Sequence, residues 1–291
     1  MTTFKKKHQA NYNKLVHEVE ENLLNLNQKN FEEFCTYYKS LCKLPAKRPF
    51  YRYNWLRRTA PMVKLIESLP VREKPWKILD AGCGVGSESI FWASLRDDIE
   101  VVGADIKQER LDVAKARLEK MKNVTGKSLK VTFELTNIFE LLDAKQFDLI
   151  WTMEAISHIH PAEDFLSAAY NSLEPGGHLI ISDSHLLNPK MQWRIIKLRR
   201  KSPKYTQKVL DDGSRIGYAD ERLFAVPFLK RLMRNAGFTD IHSQLSIFFP
   251  PGLFRCKQLL PIHTAVDKAL NQIPLLRLIG GIYTLSGKKI T

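Results

Sequence analysis

Lys77-Ile78-Leu79-Asp80-Ala81-Gly82-Cys83-Gly84-Val85-Gly86 decides how this chain is read. An apolar run passes through an acid into three glycines at alternate positions, and Ser87 follows. The pattern is that of a buried strand running into a tight turn, with a helix opening at Ser87. Glycine permits the backbone angles of such a turn and leaves no Cβ atoms between the main chain and a ligand. The first turn of the next helix presents unpaired N–H groups to that ligand. A nucleoside-containing cofactor suits this arrangement. A dinucleotide fingerprint, G-x-G-x-x-G, would need glycine where this chain has Ser87, so the spacing argues against a dehydrogenase.

The next strand reads as Glu100-Val101-Val102-Gly103-Ala104-Asp105. It ends in a carboxylate about 20 residues beyond the turn, where nucleotide-binding sheets place a ribose acceptor. Asp105 equally suits the N-cap of a helix over residues 108–120. Ile106 follows, placed to pack on an adenine face. Residues 131–138 alternate like a strand, and Asn137 near their end also suits the start of a turn. Two further apolar runs, in residues 147–158 and 173–183, have the pattern of parallel strands covered on both faces. Pro175-Gly176-Gly177 is read as stopping a helix over 162–173 and turning into the fifth strand.

Taken in order over residues 76–185, these blocks resemble the motifs of class I S-adenosylmethionine (SAM)-dependent methyltransferases. The resemblance implies an α/β, Rossmann-like fold. Its sheet would have seven mostly parallel strands with helices on both faces and an antiparallel last strand. It implies SAM as cofactor, held by Asp80, Gly82, Cys83, Gly84, Gly86, Asp105, Ile106, Asn137, Ile138 and Glu154. The family's usual residue at position 137 is Asp, and the amide of Asn137 can still accept from the adenine amino group. The run Met153-Glu154-Ala155-Ile156-Ser157-His158 is similar to the Glu…His segment of small-molecule methyltransferases acting on quinones, tocopherols, sterols and related lipids. Glu154 and His158 are the catalytic residues it implies, imidazole being the ordinary proton-transfer group near neutral pH. The alternative is that His158 only packs near the following helix and no base exists. Asp183 and His185, past the fifth strand, are further pocket residues to examine, and His160, before Pro161, reads as loop.

The remaining chain sets limits on partners. The formal net charge is +14, and residues 190–204 carry seven Lys or Arg and no acid. On a helix that stretch puts Met191, Ile195 and Leu198 on one face. A basic amphipathic helix fits an anionic membrane surface, a phosphate-bearing ligand or a solvated face. Four cysteines without a C-x-x-C pair point to a reducing compartment and no metal site. The basic start at Lys5-Lys6-Lys7 has no apolar core behind it, and no run approaches the roughly 20 apolar residues of a membrane span. A cytoplasmic location, with peripheral membrane contact at most, is the expectation.

Three regions are expected. Residues 1–70 form a helical N-terminal cap with a stripe including Val16, Val19 and Leu23, an aromatic stretch from Tyr37 to Trp55, and breaks at Pro45, Pro49 and Pro61. Residues 71–184 form the SAM-binding core. Residues 185–291 supply lid and insert helices, including an insert over 250–278 with an apolar surface from Phe248 to Ile262, and the last two strands: a helix over 221–236 closed by Gly237, a strand over 239–249, a helix near 265–271 and a last strand over 283–288. Amino-methylating DNA and rRNA enzymes of this fold carry an [Asp/Asn]-Pro-Pro-aromatic loop after the fourth strand. This chain has Thr152-Met153-Glu154-Ala155 there, so nucleic acid is not the expected partner. A small hydrophobic or lipid-like acceptor is expected, with RNA-directed methyl transfer or an inactive SAM-binding scaffold as the alternatives.

Overall fold

The computed structural model describes residues 49–125, 128–198, 205–209, 215–219, 222–248 and 260–290. The expected stripe near Val16, the aromatics Tyr37 and Tyr38, residues 199–204 and residues 249–259 lie outside them. The described strands, in chain order, are β1 (Trp76–Ala81), β2 (Ile99–Asp105), β3 (Val131–Leu135), β4 (Phe147–Met153), β5 (Leu173–Ser184), β6 (Tyr205–Val209), β7 (Arg215–Ala219), β8 (Thr239–Ser246) and β9 (Ile282–Lys288). Seven of them form one sheet in the order β3-β2-β1-β4-β5-β9-β8, while β6 and β7 pair as a separate antiparallel hairpin. β1 to β5 are mutually parallel, and β9 runs antiparallel between β5 and β8.

The described helices are α1 (Pro49–Ser68), α2 (Ser87–Leu95), α3 (Gln108–Thr125), α4 (Ile138–Ala144), α5 (Ala162–Ser172), α6 (Pro189–Leu198), α7 (Val226–Asn235) and α8 (Leu260–Gln272), with a 3-10 turn at Leu276–Ile279. Alternating strand residues serve two apolar layers, because successive side chains point to opposite faces. Leu79, Ile150, Ile181 and Tyr283 meet Phe165, Leu229 and Met233 from α5 and α7. Ile78, Leu149, Trp151 and Ile180 meet Met62, Ile66, Phe91 and Trp92 from α1 and α2. With both faces covered, the central strands read as unbroken apolar runs. Trp92 packs edge-on against Trp151 at 5.1 Å, and Trp55 of α1 packs edge-on against Phe91 at 4.7 Å.

The seven-stranded sheet, its antiparallel last strand and the helix opening at Ser87 match the sequence reading. Several boundaries do not. Pro61 lies inside α1 instead of ending it. Helix α5 stops at Ser172, so Pro175-Gly176-Gly177 falls within β5, not ahead of it. The helix expected over 221–236 begins only at Val226, because Phe224 forms a bridge with His185. β8 ends at Ser246, where Ile247 takes a left-handed φ of 63°. The helix α4 after Asn137 and the β6–β7 hairpin had no place in the sequence reading; both are short and polar-apolar mixed.

One ion pair ties the approach to β1 into the sheet. Asp148 is buried and accepts from Arg72 Nη1 at 2.8 Å, from Arg72 Nη2, and from the Lys77 N–H at 2.7 Å. Arg72 also stacks 3.6 Å above the Trp76 ring. Truncating Asp148 would strand a guanidinium and a strand N–H together. Asp148→Ala is expected to lower unfolding free energy by about 2–4 kcal/mol, measured by urea denaturation. A loss below about 0.5 kcal/mol would show that the pair is a solvated surface contact.

Candidate functional site

The turn after β1 is built by its own glycines. Gly82, Gly84 and Gly86 have φ of 76°, 53° and 72°, the left-handed region that costs any residue with a Cβ. The Gly82 and Cys83 N–H groups both donate to Ala104 O at 2.9 Å, closing the turn onto the end of β2. A Cβ at Gly82 would sit 2.5 Å from Ala155 Cβ, and one at Gly86 would sit 2.6 Å from the Phe133 ring. Those two glycines therefore make room for protein neighbours, which corrects the idea that all three clear a path for a ligand. Cys83 is buried, its thiol pushed above its usual range by burial and by Asp80.

Asp105 ends β2 and stitches the turn to it. One carboxylate oxygen accepts the Gly84 N–H at 2.9 Å, the other accepts the Lys107 N–H at 3.0 Å, and Arg110 stands 3.7 Å away. A carboxylate has about four acceptor sites, so capacity remains for a ligand hydroxyl. Ile106 follows, half-buried. Asn137 caps α4, its Oδ1 accepting the Phe139 N–H at 3.2 Å, and Ile138 opens that helix. The turn-starting reading of Asn137 thus holds, with one lone pair of its oxygen engaged.

Below the turn, Asp80 and Glu88 stand close together. Asp80 is buried, accepts the Ser89 hydroxyl at 2.6 Å, and has its pKa raised to about 8 by burial and then by Glu88. Glu88 accepts from Trp55 Nε1 at 2.8 Å and is also pushed upward by burial. Arg117 donates to Ser87 Oγ at 2.6 Å and to Val85 O at 3.2 Å, holding the other side of the turn.

Glu154 follows β4 in the left-handed region, with φ 53°. Its carboxylate takes Arg58 Nη2 of α1 at 2.6 Å. Arg58 is buried, with Nε on Asn54 Oδ1 at 2.9 Å, and its Nη1 finds no partner among the described residues. Asp183, at the end of β5, accepts the Ser157 N–H at 3.2 Å and the Ser184 N–H at 2.6 Å. Burial and then Glu154 raise its pKa to about 6. His158 is half-buried on the same loop, its N–H donating to Ala155 O at 2.9 Å.

His185 leaves the set. It is fully buried between Gly280 O, 3.2 Å from Nδ1, and the Val226 N–H, which donates to Nε2 at 3.2 Å. Burial lowers its pKa to about 4, so it is a neutral structural residue. Sequence reading missed Arg58, Glu88, Ser89 and Arg117. Glu88 and Ser89 were findable, two and three residues beyond Gly86 at the first turn of a helix; Arg58 and Arg117 gave no local signal.

A family model described as a methyltransferase domain matches residues 73–221. The erythromycin 3''-O-methyltransferase of Saccharopolyspora erythraea is 32% identical over 108 residues, 37% of this chain and 34% of that protein. The ubiquinone biosynthesis O-methyltransferase of Ruegeria pomeroyi is 30% identical over 182 residues, 61% of this chain and 67% of that protein. This chain thus spans from about a third to about two thirds of these relatives' lengths. A Thermotoga maritima crystal structure, described as a SAM-dependent methyltransferase and possible histamine N-methyltransferase, superposes with a TM-score of 0.51 and 18% identity. That match covers 89% of this chain and 97% of the other, and it shows a shared fold.

The Gly82–Ala155 contact makes a direct test of the turn. Gly82→Ala is expected to cost about 2–4 kcal/mol of stability, from a disfavoured backbone angle plus the overlap with Ala155. Adding Ala155→Gly should recover part of the loss in a double-mutant cycle followed by urea denaturation. Strict additivity would mean that the overlap relaxes without strain.

Proposed function

This chain belongs to the methyltransferase-domain family, and on that footing we propose that it is a SAM-dependent methyltransferase acting on a small hydrophobic or lipid-like acceptor. The observation that carries the reading is the surplus of buried carboxylates around the glycine turn. Asp80 is buried with no cation among the groups that shift it, and burial raises Glu88 despite the nearby Arg117, an environment that favours a ligand bringing positive charge. SAM brings an ammonium and a sulfonium. It also brings a carboxylate, for which Nη1 of Arg58, without a partner among the described residues, is a fitting donor. When bound, SAM supplies a methyl group already activated by its sulfonium.

The residues would divide the cofactor among them. Asp105 would accept from the ribose; Ile106, Asn137 and Ile138 would face the adenine. The backbone from Gly82 to Gly86 would lie against the nucleoside and amino-acid parts, with Asp80 and Glu154 toward the amino-acid end. Most of the rate would come from proximity and orientation, with water excluded. An acceptor arriving protonated needs a base, and His158 takes that role, with Glu154 held in position by Arg58. Both curated relatives are O-methyltransferases of small molecules by name, and that likeness supports a small-molecule acceptor here. Peripheral contact with an anionic membrane is compatible with this reading but does not depend on it.

Calorimetric titration with SAM tests the cofactor. Wild type should bind, and Asp105→Ala should bind at least about tenfold more weakly while keeping its circular dichroism. A well-folded wild type that binds neither SAM nor S-adenosylhomocysteine would sink the proposal. With binding secured, quinone, phenolic and lipid acceptors should take up methyl label. Salt-sensitive labelling of RNA in their place would transfer the enzyme to the RNA-directed class.

Binding should also move a proton. Asp80 holds its proton up to about pH 8 in the free protein. A cationic ligand favours the carboxylate, so below that pH binding must expel the proton. Affinity is expected to fall as pH drops below 8, by at most about tenfold per unit. Titrations near neutral pH in buffers of different ionisation heat should show proton release; equal heats would remove Asp80 from the cofactor's surroundings.

A further inference from the structure

Exposed apolar side chains on this molecule are not scattered. Of the eleven large ones exposed among the described residues, eight fall in two segments, 187–196 and 262–279. Trp193 is 68% exposed, Ile196 60% and Leu275 80%. Single exposed hydrophobics are ordinary, whereas a concentration of them marks a contact surface. The two segments are joined: Asn188 Nδ2 donates to Ile279 O at 2.7 Å, and the His185 N–H donates to Gly281 O at 3.0 Å.

The same region lacks exposed acid. Residues 185–198 and 222–238 contain no Asp or Glu at all. Residues 260–281 contain only Asp267, which is fully buried and accepts the Ile247 and Phe248 N–H groups. Lys190, Arg231, Arg234 and Lys268 are exposed there. Lys230 is pushed below its usual range by burial and then by Arg277 and Arg234, which places cations of α7 beside the 3-10 turn.

Topology sets this face on the edge that carries the candidate site. Residues 185–198 leave the carboxyl end of β5, and Leu276–Ile279 leads into antiparallel β9, whose Ile282 pairs with Ser184. The glycine turn and Glu154 follow the carboxyl ends of β1 and β4 on that same edge.

We propose that this face docks on an anionic lipid bilayer, Trp193, Ile196 and Leu275 entering the headgroup region and the surrounding cations meeting acidic headgroups. Apolar burial and electrostatic attraction add for such surfaces. The aliphatic share disfavours nucleic acid, which is gripped through stacking aromatics and phosphate contacts. A second copy of the chain is disfavoured because a two-fold contact would press like charges together. That docking would bring a lipid-like acceptor to the site rests on the proposed function; the docking itself does not.

Flotation of the full chain with phosphatidylcholine–phosphatidylserine vesicles, against phosphatidylcholine alone, tests the surface. Wild type should float with the mixed vesicles and be released by salt. Trp193→Ser/Leu275→Ser should weaken vesicle binding by about tenfold or more. Lys190→Glu/Arg234→Glu should do so too, with a reduced salt effect, and it stands as the second variant should the first fold poorly. Both pairs should retain circular dichroism and SAM titration. Wild type that stays unbound with both vesicle types overturns the proposal. So does undiminished floating of the two folded variants, RNA binding by polyuridylate without vesicle binding, or dimerisation abolished by Trp193→Ser/Leu275→Ser without vesicle binding. Failure of wild type to bind SAM would count against the proposed function alone and leave the flotation result standing.

Discussion

A cluster of carboxyl groups, with Asp80, Asp105 and Asp183 buried, organises the carboxyl edge of this sheet. Five carboxyl groups, those of Asp80, Glu88, Asp105, Glu154 and Asp183, converge on the loops that follow β1, β2, β4 and β5 or on the first turn of α2. Each is held by donors of the protein: backbone N–H groups for Asp105 and Asp183, a hydroxyl for Asp80, an indole of α1 for Glu88, a guanidinium of α1 for Glu154. Those donors fix geometry, but most carry no full charge. Burial first, and then the neighbouring Glu88 and Glu154 respectively, raise the pKa values of Asp80 and Asp183. A fold that maximised its own stability would place apolar groups there. Retaining the acids makes sense when a cation is meant to arrive.

Helix α1 depends on that charge from the other side. Met62 and Ile66 anchor it on the sheet as part of an apolar layer. Trp55 and Arg58, one turn apart, bind Glu88 and Glu154 in turn and so bridge the loops after β1 and β4. Pro61, inside the helix, removes one backbone donor just beyond that pair. The helix is therefore apolar packing at its carboxyl half and polar capture over the site. A change in charge among the acids would be felt first at Trp55 and Arg58, not at Met62.

What the sequence made legible follows from range. Strand identity came from local apolar runs, and the turn from three glycines and an acid within a few residues. Asp105 and Asn137 stood out because one ends β2 and the other follows two residues after β3, each where an apolar pattern gives way to a polar residue. Arg58 was not, since its partner Glu154 is 96 residues away and nothing local marks an arginine as buried. His185 misled for the converse reason. A histidine just past a strand end resembles a site residue, and only the distant Gly280 and Val226 reveal a structural one. The glycines carried a similar lesson, because the contacts Gly82–Ala155 and Gly86–Phe133 join elements that the sequence separates.

The antiparallel β9 has a consequence beyond closing the sheet. A parallel strand would have to be entered from the amino edge, far from the glycine turn. Entering from the carboxyl edge, β9 brings the 3-10 turn and α8 to the same side as the loop after β5. Insertions at that point therefore thicken the rim of the site without disturbing the core beneath. His185 holds this rim to the fold, since its ring meets Gly280 and Val226 together and joins the exit of β5, the start of α7 and the end of the 3-10 turn. Burial keeps that ring neutral, so the joint holds its hydrogen-bond pattern while charge in the neighbouring site changes. A buried joint between an apolar, cationic rim and the acidic candidate site lets one edge of the sheet present two chemically opposed surfaces.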